Sequence, residues 1–150
     1  MDPVGVGAIV AVLVAGTVAG LWRRRTDGRL RSAREIVADV DPTVSGARLD
    51  PALLAELGVT PAQATLLQFS TAFCAPCRAV RRISAEVAAL VPGVRHVEVD
   101  AESHLEAVRA LGIWRTPTLL VLDSDGRVVK RATGVPTKPQ LIAVLPLPEG

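Results

Sequence analysis

The only two cysteines of the chain, Cys74 and Cys77, lie in the stretch FSTAFCAPCRAV at residues 69–80, with Ala75 and Pro76 between them. Two thiols this close serve as a structural staple, as part of a metal site, or as a pair that exchanges electrons. A disulfide that closes so short a loop removes little entropy from the unfolded chain. The staple would therefore contribute almost nothing to stability.

A metal site is weakly supported by the number of available ligands. A closed zinc site needs four ligands and usually shows a second Cys or His pair at short spacing. The chain offers only His96 and His104, which are eight residues apart and fall on different predicted elements. We therefore expect no bound metal, although a soft ion such as Cu(I) on the two thiols stays an alternative.

A redox pair uses every feature of the stretch. Cys74 is predicted at the start of a helix, where free backbone N–H groups and the positive end of the helix dipole stabilise a thiolate. A pKa lowered from about 8.5 toward about 7 would make it the attacking nucleophile. Cys77, one turn later, is placed to attack the mixed disulfide and release the substrate. Pro76 in the first turn leaves no hydrogen bond unmade and stiffens the geometry.

Hydrophobic periodicity predicts the elements that position these thiols. We expect strands at 64–70 and 94–100, a hairpin from Thr118 to Thr133, and helices after Cys74, near 102–112, and from about Lys138 to Leu145 with Thr137 as cap. Strands joined through a helix pair in parallel and the hairpin is antiparallel. The pattern predicts an α/β fold with a mixed central sheet and helices on both faces.

Two separated motifs resemble the thioredoxin family. AFCAPCRAVRRI at 72–83 resembles its active site, Trp-Cys-Gly-Pro-Cys followed by a basic residue, and GIWRTPTLLVLDSDGRVVKRATG at 112–134 matches its Gly-Ile-x-x-x-Pro-Thr strand, hairpin and closing Gly. The likeness covers roughly residues 64–145 and implies a thioredoxin-like fold. It also implies that Pro117 is cis and lies against the disulfide, and that the backbone of Thr116 meets the substrate chain.

The resemblance also supplies a set of site residues. Cys74, Cys77 and Pro117 would be catalytic, and the surface that binds substrate would comprise Phe73, Pro76, Trp114, Thr116 and Gly134.

Three positions near the motif depart from the family pattern or add to it. Gln68 stands where the family buries a carboxylate, and Gln cannot act as a base. His96, near where the family often has a buried lysine, is either structural or catalytic. Phe73 replaces the usual Trp. Gln68 and Arg78, which directly follows the motif, are expected to modulate the thiols.

The beginning of the chain predicts a membrane anchor. From Val4 to Trp22, 19 residues carry no charge, a length that nearly spans a hydrocarbon core of about 30 Å as a helix. Arg23, Arg24 and Arg25 follow the run. A cleaved signal would instead have its basic residues before the apolar run. By the positive-inside rule the arginine flank stays in the cytoplasm, so the rest of the chain would face the cytosol.

These observations predict three segments: residues 1–25 as transmembrane anchor and basic flank, 26–60 as a linker with short helices, and 61–150 as a thioredoxin-like domain. We expect Leu53, Leu54 and Leu57 of the linker to pack on the domain. The net charge of +2 owes much to the arginine cluster. That cluster meets anionic lipid and lacks the interleaved aromatic residues of a nucleic-acid surface.

The sequence therefore predicts a membrane-anchored thiol–disulfide oxidoreductase that reduces protein disulfides in the cytosol. The reaction needs no bound cofactor, and the electrons must come from a reductase or a small thiol. Two further alternatives remain. With the reverse topology, the domain would be an extracytoplasmic disulfide reductase or isomerase, or act in cytochrome maturation. Without turnover, it would be a tethered binding module with a thioredoxin fold.

Overall fold

A computed structural model describes residues 12–18 and 46–146 of the chain. Residues 12–18 are helical, and the hydroxyl of Thr17 donates a hydrogen bond to the carbonyl of Leu13 at 2.7 Å. The other residues of the predicted anchor, its arginine flank and most of the predicted linker lie outside the described residues. Within the two described stretches, no helix is both long and apolar enough to cross a membrane. The segment boundaries at residues 25 and 60 stay predictions.

Residues 46–146 contain four helices and four strands. A short helix within the predicted linker comes first, and four strands and three helices follow it in the predicted order. In chain order the elements are α1 Pro51–Glu56, β1 Ala64–Ser70, α2 Ala75–Leu90, β2 Val94–Asp100, α3 Leu105–Ala110, β3 Thr118–Asp123, β4 Val128–Thr133 and α4 Lys138–Ala143.

The strands form one mixed sheet in the order β2-β1-β3-β4. β1 pairs with β2 in parallel and with β3 antiparallel, and β3 and β4 form the predicted antiparallel hairpin. β1 is therefore an inner strand, and all seven of its residues are buried. The register places Gln68 between Glu98 of β2 and Leu119 of β3. The predicted mixed sheet is confirmed.

Each face of the sheet carries its own apolar core, because successive side chains of β1 point to opposite faces. Leu67 and Phe69 belong to the first core, which also contains Leu57 beside α1 and Ala107 of α3. Leu53 and Leu54 pack against this core, as expected from the sequence. The second core contains Leu66 of β1, residues of α2 and Leu141 of α4. Helices therefore cover both faces, as predicted.

The buried face of α2 differs from the predicted stripe. The sequence suggested that Val80, Ile83, Val87 and Leu90 would face the core, but Leu90 is 63% exposed and Ile83 is only partly buried. The buried residues of this helix are Cys77, Val80, Ser84 and Val87. These positions follow the same three-and-four spacing and include Val80 and Val87 of the predicted stripe, but the buried face begins at Cys77 and passes through Ser84.

Ser84 is a polar residue on the buried face of α2. Its side chain is fully buried, and its hydroxyl oxygen has no hydrogen-bond partner within the described residues. A buried hydroxyl without a partner costs roughly 1–3 kcal/mol, and alanine is also the better helix former. We expect Ser84→Ala to raise the free energy of unfolding by about 1 kcal/mol. Urea denaturation measures the change.

Ser124→Ala is the matched control for this prediction, because Ser124 is exposed in the hairpin turn. It should stay within about 0.5 kcal/mol of the wild-type protein. A loss of stability in Ser84→Ala would show that the hydroxyl has a stabilising partner.

Candidate active site

Cys74 and Cys77 form a disulfide at the N-terminus of α2, with a Cα–Cα distance of 5.2 Å. Cys74 is the N-cap residue, and its Sγ accepts a hydrogen bond from the backbone N–H of Cys77 at 3.2 Å. Cys74 is half-buried, whereas only 1% of Cys77 is exposed. After reduction, a thiolate on Cys74 would meet the N–H groups and the positive dipole end of a 16-residue helix. A disulfide-bearing partner can therefore reach Cys74 but not Cys77.

Hydrogen bonds connect the loop between β1 and Cys74 to the loop before β3, and connect that loop in turn to the end of β4. The hydroxyls of Thr71 and Thr116 lie 3.3 Å apart and join the loop after β1 to the loop before β3. The Thr116–Pro117 peptide bond is cis, as the resemblance implied, and Pro117 is buried. The backbone N–H of Gly134 donates to the carbonyl of Pro117 at 3.1 Å. Gly134 adopts φ +91°, which favours glycine at this junction.

The predicted substrate-binding residues differ in exposure. Phe73 is fully exposed and Trp114 is 72% exposed, both large apolar side chains open to solvent. The guanidinium of Arg115 lies over the Trp114 ring, 4.5 Å from its centroid. Pro76 and Arg78 are exposed, while Thr116 is half-buried. The roles of these residues in substrate binding stay predictions.

Gln68 lies beneath the N-terminus of α2 with no exposed surface. Its amide nitrogen donates to the backbone carbonyl of Cys77 at 2.9 Å and to the hydroxyl of Ser70 at 2.8 Å. Its amide oxygen lies 3.1 Å from Nε2 of His96. The amide therefore connects the buried cysteine to both the central strand and the neighbouring strand β2.

Comparison with known proteins agrees with this geometry. The thioredoxin family model matches residues 54–146. The chain belongs to the thioredoxin family. A thioredoxin of Chlamydia trachomatis is 30% identical over 80 residues, which are 53% of this chain and 78% of that protein. With the family's cysteine pair in place, this thioredoxin-family protein is a thiol–disulfide oxidoreductase.

Solved structures show the same fold. Desulfothioredoxin of Desulfovibrio vulgaris Hildenborough is similar with a TM-score of 0.52 and 25% identity, over 67% of this chain and 95% of that one. A thioredoxin of Halobacterium salinarum gives a TM-score of 0.54 at 19% identity, over 65% and 84%. The predicted thioredoxin-like fold is therefore confirmed.

Beside the disulfide of this thioredoxin-family protein, charged side chains line a cleft. The open cleft has a volume of about 310 Å³ and is lined by Ser70, Thr71, Ala72, Arg81, Glu98 and Asp100.

Glu98 is the most constrained of these charges, because Arg81 binds it with two nitrogens, one at 2.8 Å. Burial raises the pKa of Glu98, but the hydrogen bonds from Arg81 and Ser70 outweigh burial and hold it below its ordinary value. Within residues 12–18 and 46–146, no group of three or more Cys, His, Asp or Glu side chains is arranged to hold a metal ion.

For His96, the sequence analysis left a structural and a catalytic role open. Burial lowers its pKa below the ordinary 6.5 and Arg81 adds to the effect, while Glu98 opposes it. The register pairs His96 with Leu66 and Glu98 with Gln68. Alternate residues of neighbouring parallel strands share a face. Knowledge of the strand register would therefore have been enough to predict that positions 66, 68, 96 and 98 lie on one face of the sheet.

The lowered pKa of His96 predicts a pH dependence of stability. The unfolded chain binds a proton near pH 6.5, whereas the folded chain does so only at lower pH. Between these values the unfolded state holds more protons, so the free energy of unfolding falls as the pH drops below about 6.5. Denaturation of the disulfide form between pH 7.5 and 5.5 measures this decline, above the range in which the low pKa of Glu98 contributes.

His96→Gln should flatten this pH profile, because the replacement does not titrate. His104→Gln is the matched control, since His104 is also half-buried and its Nδ1 lies 3.0 Å from the backbone carbonyl oxygen of Asp100. If the free energy of unfolding of His96→Gln declined with pH as steeply as that of the wild-type protein, His96 would not be the source of the pH dependence.

Proposed function

We propose that this protein reduces disulfide bonds of partner proteins at the cytosolic face of a membrane, with Cys74 as the attacking and Cys77 as the resolving thiol. The observation that carries the assignment is the unequal burial of the two sulfur-bearing residues. Cys74 is half-buried and accepts an N–H hydrogen bond at Sγ, whereas Cys77 is fully enclosed. An incoming disulfide meets Cys74 first, and Cys77 reacts only within the protein.

The reaction balances without a cofactor. The thiolate of Cys74 attacks one sulfur of the substrate disulfide, forming a mixed disulfide while the other substrate sulfur leaves as a thiolate and takes up a proton. The thiol of Cys77 then loses its proton to solvent and attacks Sγ of Cys74. The Cys74–Cys77 bond forms, the mixed disulfide breaks, and the second substrate thiolate leaves. Two electrons pass from the cysteine pair to the substrate.

The pair must then be reduced again by a donor. A reductase with its own dithiol, or a small thiol, supplies two electrons by the same exchange and becomes oxidised. In the cytosol the thiol poise is reducing, so the pair would rest as a dithiol between turnovers. This direction of electron flow follows from the proposed compartment.

The membrane anchor is proposed from the sequence of the first 25 residues. An uncharged run of 19 residues from Val4 to Trp22 precedes three arginines. Residues 12–18 within this run are helical, and the side chains of Val12, Leu13, Val14 and Val18 are exposed. Apolar side chains around a helix fit a hydrocarbon environment.

Redox titration of the full chain in detergent against glutathione tests the direction of the reaction. We expect a potential near about −270 mV, the thioredoxin value. Cys77→Ser should accumulate mixed disulfides on Cys74, and Cys74→Ser, the matched control, should form none. A potential between about −180 and −120 mV would indicate an isomerase or oxidase. Absence of exchange over minutes would leave the tethered binding module.

Thiol labelling in intact cells tests the topology. A membrane-impermeant maleimide should label Cys74 only after the cells are permeabilised, because the domain would face the cytosol. Labelling in intact cells would instead place the domain outside, where the isomerase or reductase alternative applies. Release of the full chain by alkaline carbonate would contradict the anchor.

A further inference from the structure

The orientation of the Gln68 amide is determined by its neighbours. Its nitrogen lies within hydrogen-bonding distance of the carbonyl of Cys77 and the hydroxyl of Ser70, at 2.9 and 2.8 Å. A carbonyl can only accept, so the NH₂ group must point to Cys77. The amide oxygen then faces Nε2 of His96 at 3.1 Å, and this ring nitrogen must carry the hydrogen. The contacts thus fix both the rotamer of Gln68 and the tautomer of His96.

The orientation of this amide determines the direction of each hydrogen bond from His96 to Cys77 and to Glu98. Nε2–H of His96 donates to Gln68, and Gln68 donates to the carbonyl of Cys77. On the second branch Gln68 donates to Ser70, whose hydroxyl hydrogen is left for the carboxylate of Glu98. The imidazole is therefore separated from the resolving cysteine by a single side-chain amide.

The charges around His96 come from two elements. Glu98 lies on its own strand, two residues along, and favours the imidazolium, while Arg81 on α2 disfavours it. β1 contributes the neutral Gln68, and α2 also contributes Cys77. Arg81 and Glu98 pair with each other through two hydrogen bonds, so their opposing charges are held together. Because Arg81 and Glu98 are already paired, protonation of His96 adds one positive charge next to the Gln68 amide that contacts Cys77.

We propose that His96 and Gln68 are positioning residues for Cys77: the imidazole orients the amide, the amide holds the backbone of Cys77, and the charge of the imidazole tunes the reactivity of this thiol. His96 contacts the amide and not the sulfur, so it is not the base that removes the proton. An imidazolium in this partly buried site would stabilise the Cys77 thiolate that attacks the mixed disulfide. This inference rests on the proposed role of Cys77 as the resolving thiol.

Two substitutions separate orientation from charge. His96→Gln keeps an N–H donor for Gln68 but cannot become charged. His96→Leu removes both the donor and the charge. His104→Gln replaces the only other histidine of the chain, which contacts the carbonyl of Asp100 and lies outside this hydrogen-bond chain.

The experiment measures the resolving step alone. The reduced full chain in detergent is mixed with a symmetrical aromatic disulfide, from which one chromophoric thiol leaves as Cys74 forms the mixed disulfide. Release of the second chromophoric thiol by Cys77 is then followed at pH values from 5 to 8. At pH 8 we expect His96→Gln to match the wild-type rate and His96→Leu to be roughly two- to tenfold slower, the effect of one lost hydrogen bond. The pKa of His96 is lowered by burial, so its imidazole becomes charged only at pH values below the ordinary 6.5. At pH values low enough to protonate it, the wild-type protein should resolve faster than His96→Gln by roughly three- to tenfold. His104→Gln should follow the wild-type profile.

Two results would overturn the inference: a His96→Gln profile that superimposes on that of the wild-type protein, or a His96→Leu rate at pH 8 equal to the wild-type rate. A merely structural role would lower stability without separating the two pH profiles. If the wild-type protein itself releases no thiol, the proposed function fails. Release that does not depend on residue 96 contradicts only this inference.

A measurement on the unaltered protein covers the case in which a variant does not fold. The ¹⁵N chemical shifts of the His96 ring distinguish the two neutral tautomers directly. We expect the hydrogen on Nε2 in the disulfide form above pH 7. A hydrogen on Nδ1 would break the connection to Gln68 and overturn the proposal.

Discussion

The burial of β1 on both faces and its pairing along both edges is the constraint on which the rest of the structure depends. Its seven residues supply side chains to both apolar cores and hydrogen bonds to β2 and β3. The strand also ends close to the disulfide, because Cys74 is only four residues after Ser70. A change of register by one residue would exchange the two faces and turn Gln68 away from α2. The register that builds the cores therefore also builds the site.

The different burial of the two cysteines follows from their positions at the start of α2. Cys74 at the N-cap lies outside the helical turn, where its sulfur accepts a backbone N–H and meets solvent. Cys77, three residues later, opens the stripe that continues through Val80, Ser84 and Val87 into the second core. Residues three and four apart share one helix face. The helical period therefore buries Cys77 with this face, whereas Cys74 stays accessible because it is the extended N-cap residue before the first helical turn.

Local patterns predicted the elements well because each depends on a few neighbouring residues. The cap at Thr137 is an example, since its side chain and that of Gln140 form a reciprocal capping box within four residues. The buried faces of helices were predicted less well. In the helix predicted near residues 102–112, the spacing of Leu105, Val108 and Leu111 predicts one apolar stripe. In the structure Leu105 is 52% exposed, and Ala107 is buried. A helix of six residues is too short for periodicity to fix its orientation, which the sheet beneath it decides.

The contact between Gln68 and His96 could not be predicted from the sequence. It joins residues 28 positions apart through a strand pairing that no local pattern specifies. The resemblance drew attention to Gln68 as a lost base. The structure shows instead that the amide makes a contact that an ionised carboxylate cannot make, since only the amide donates a hydrogen bond to the carbonyl of Cys77.

The replacement also changes where a charge can reside. An ionised group at position 68 would be fully enclosed and would carry a large desolvation cost, whereas a neutral amide there meets its needs with three hydrogen bonds. The nearest titratable group on this path is His96, one strand further out and only half-buried. A charge at that position would be partly hydrated, although burial lowers the pKa of His96 below the ordinary 6.5. The site thus has a buried, neutral amide beneath Cys77 and its titratable imidazole on β2, the edge strand of the sheet.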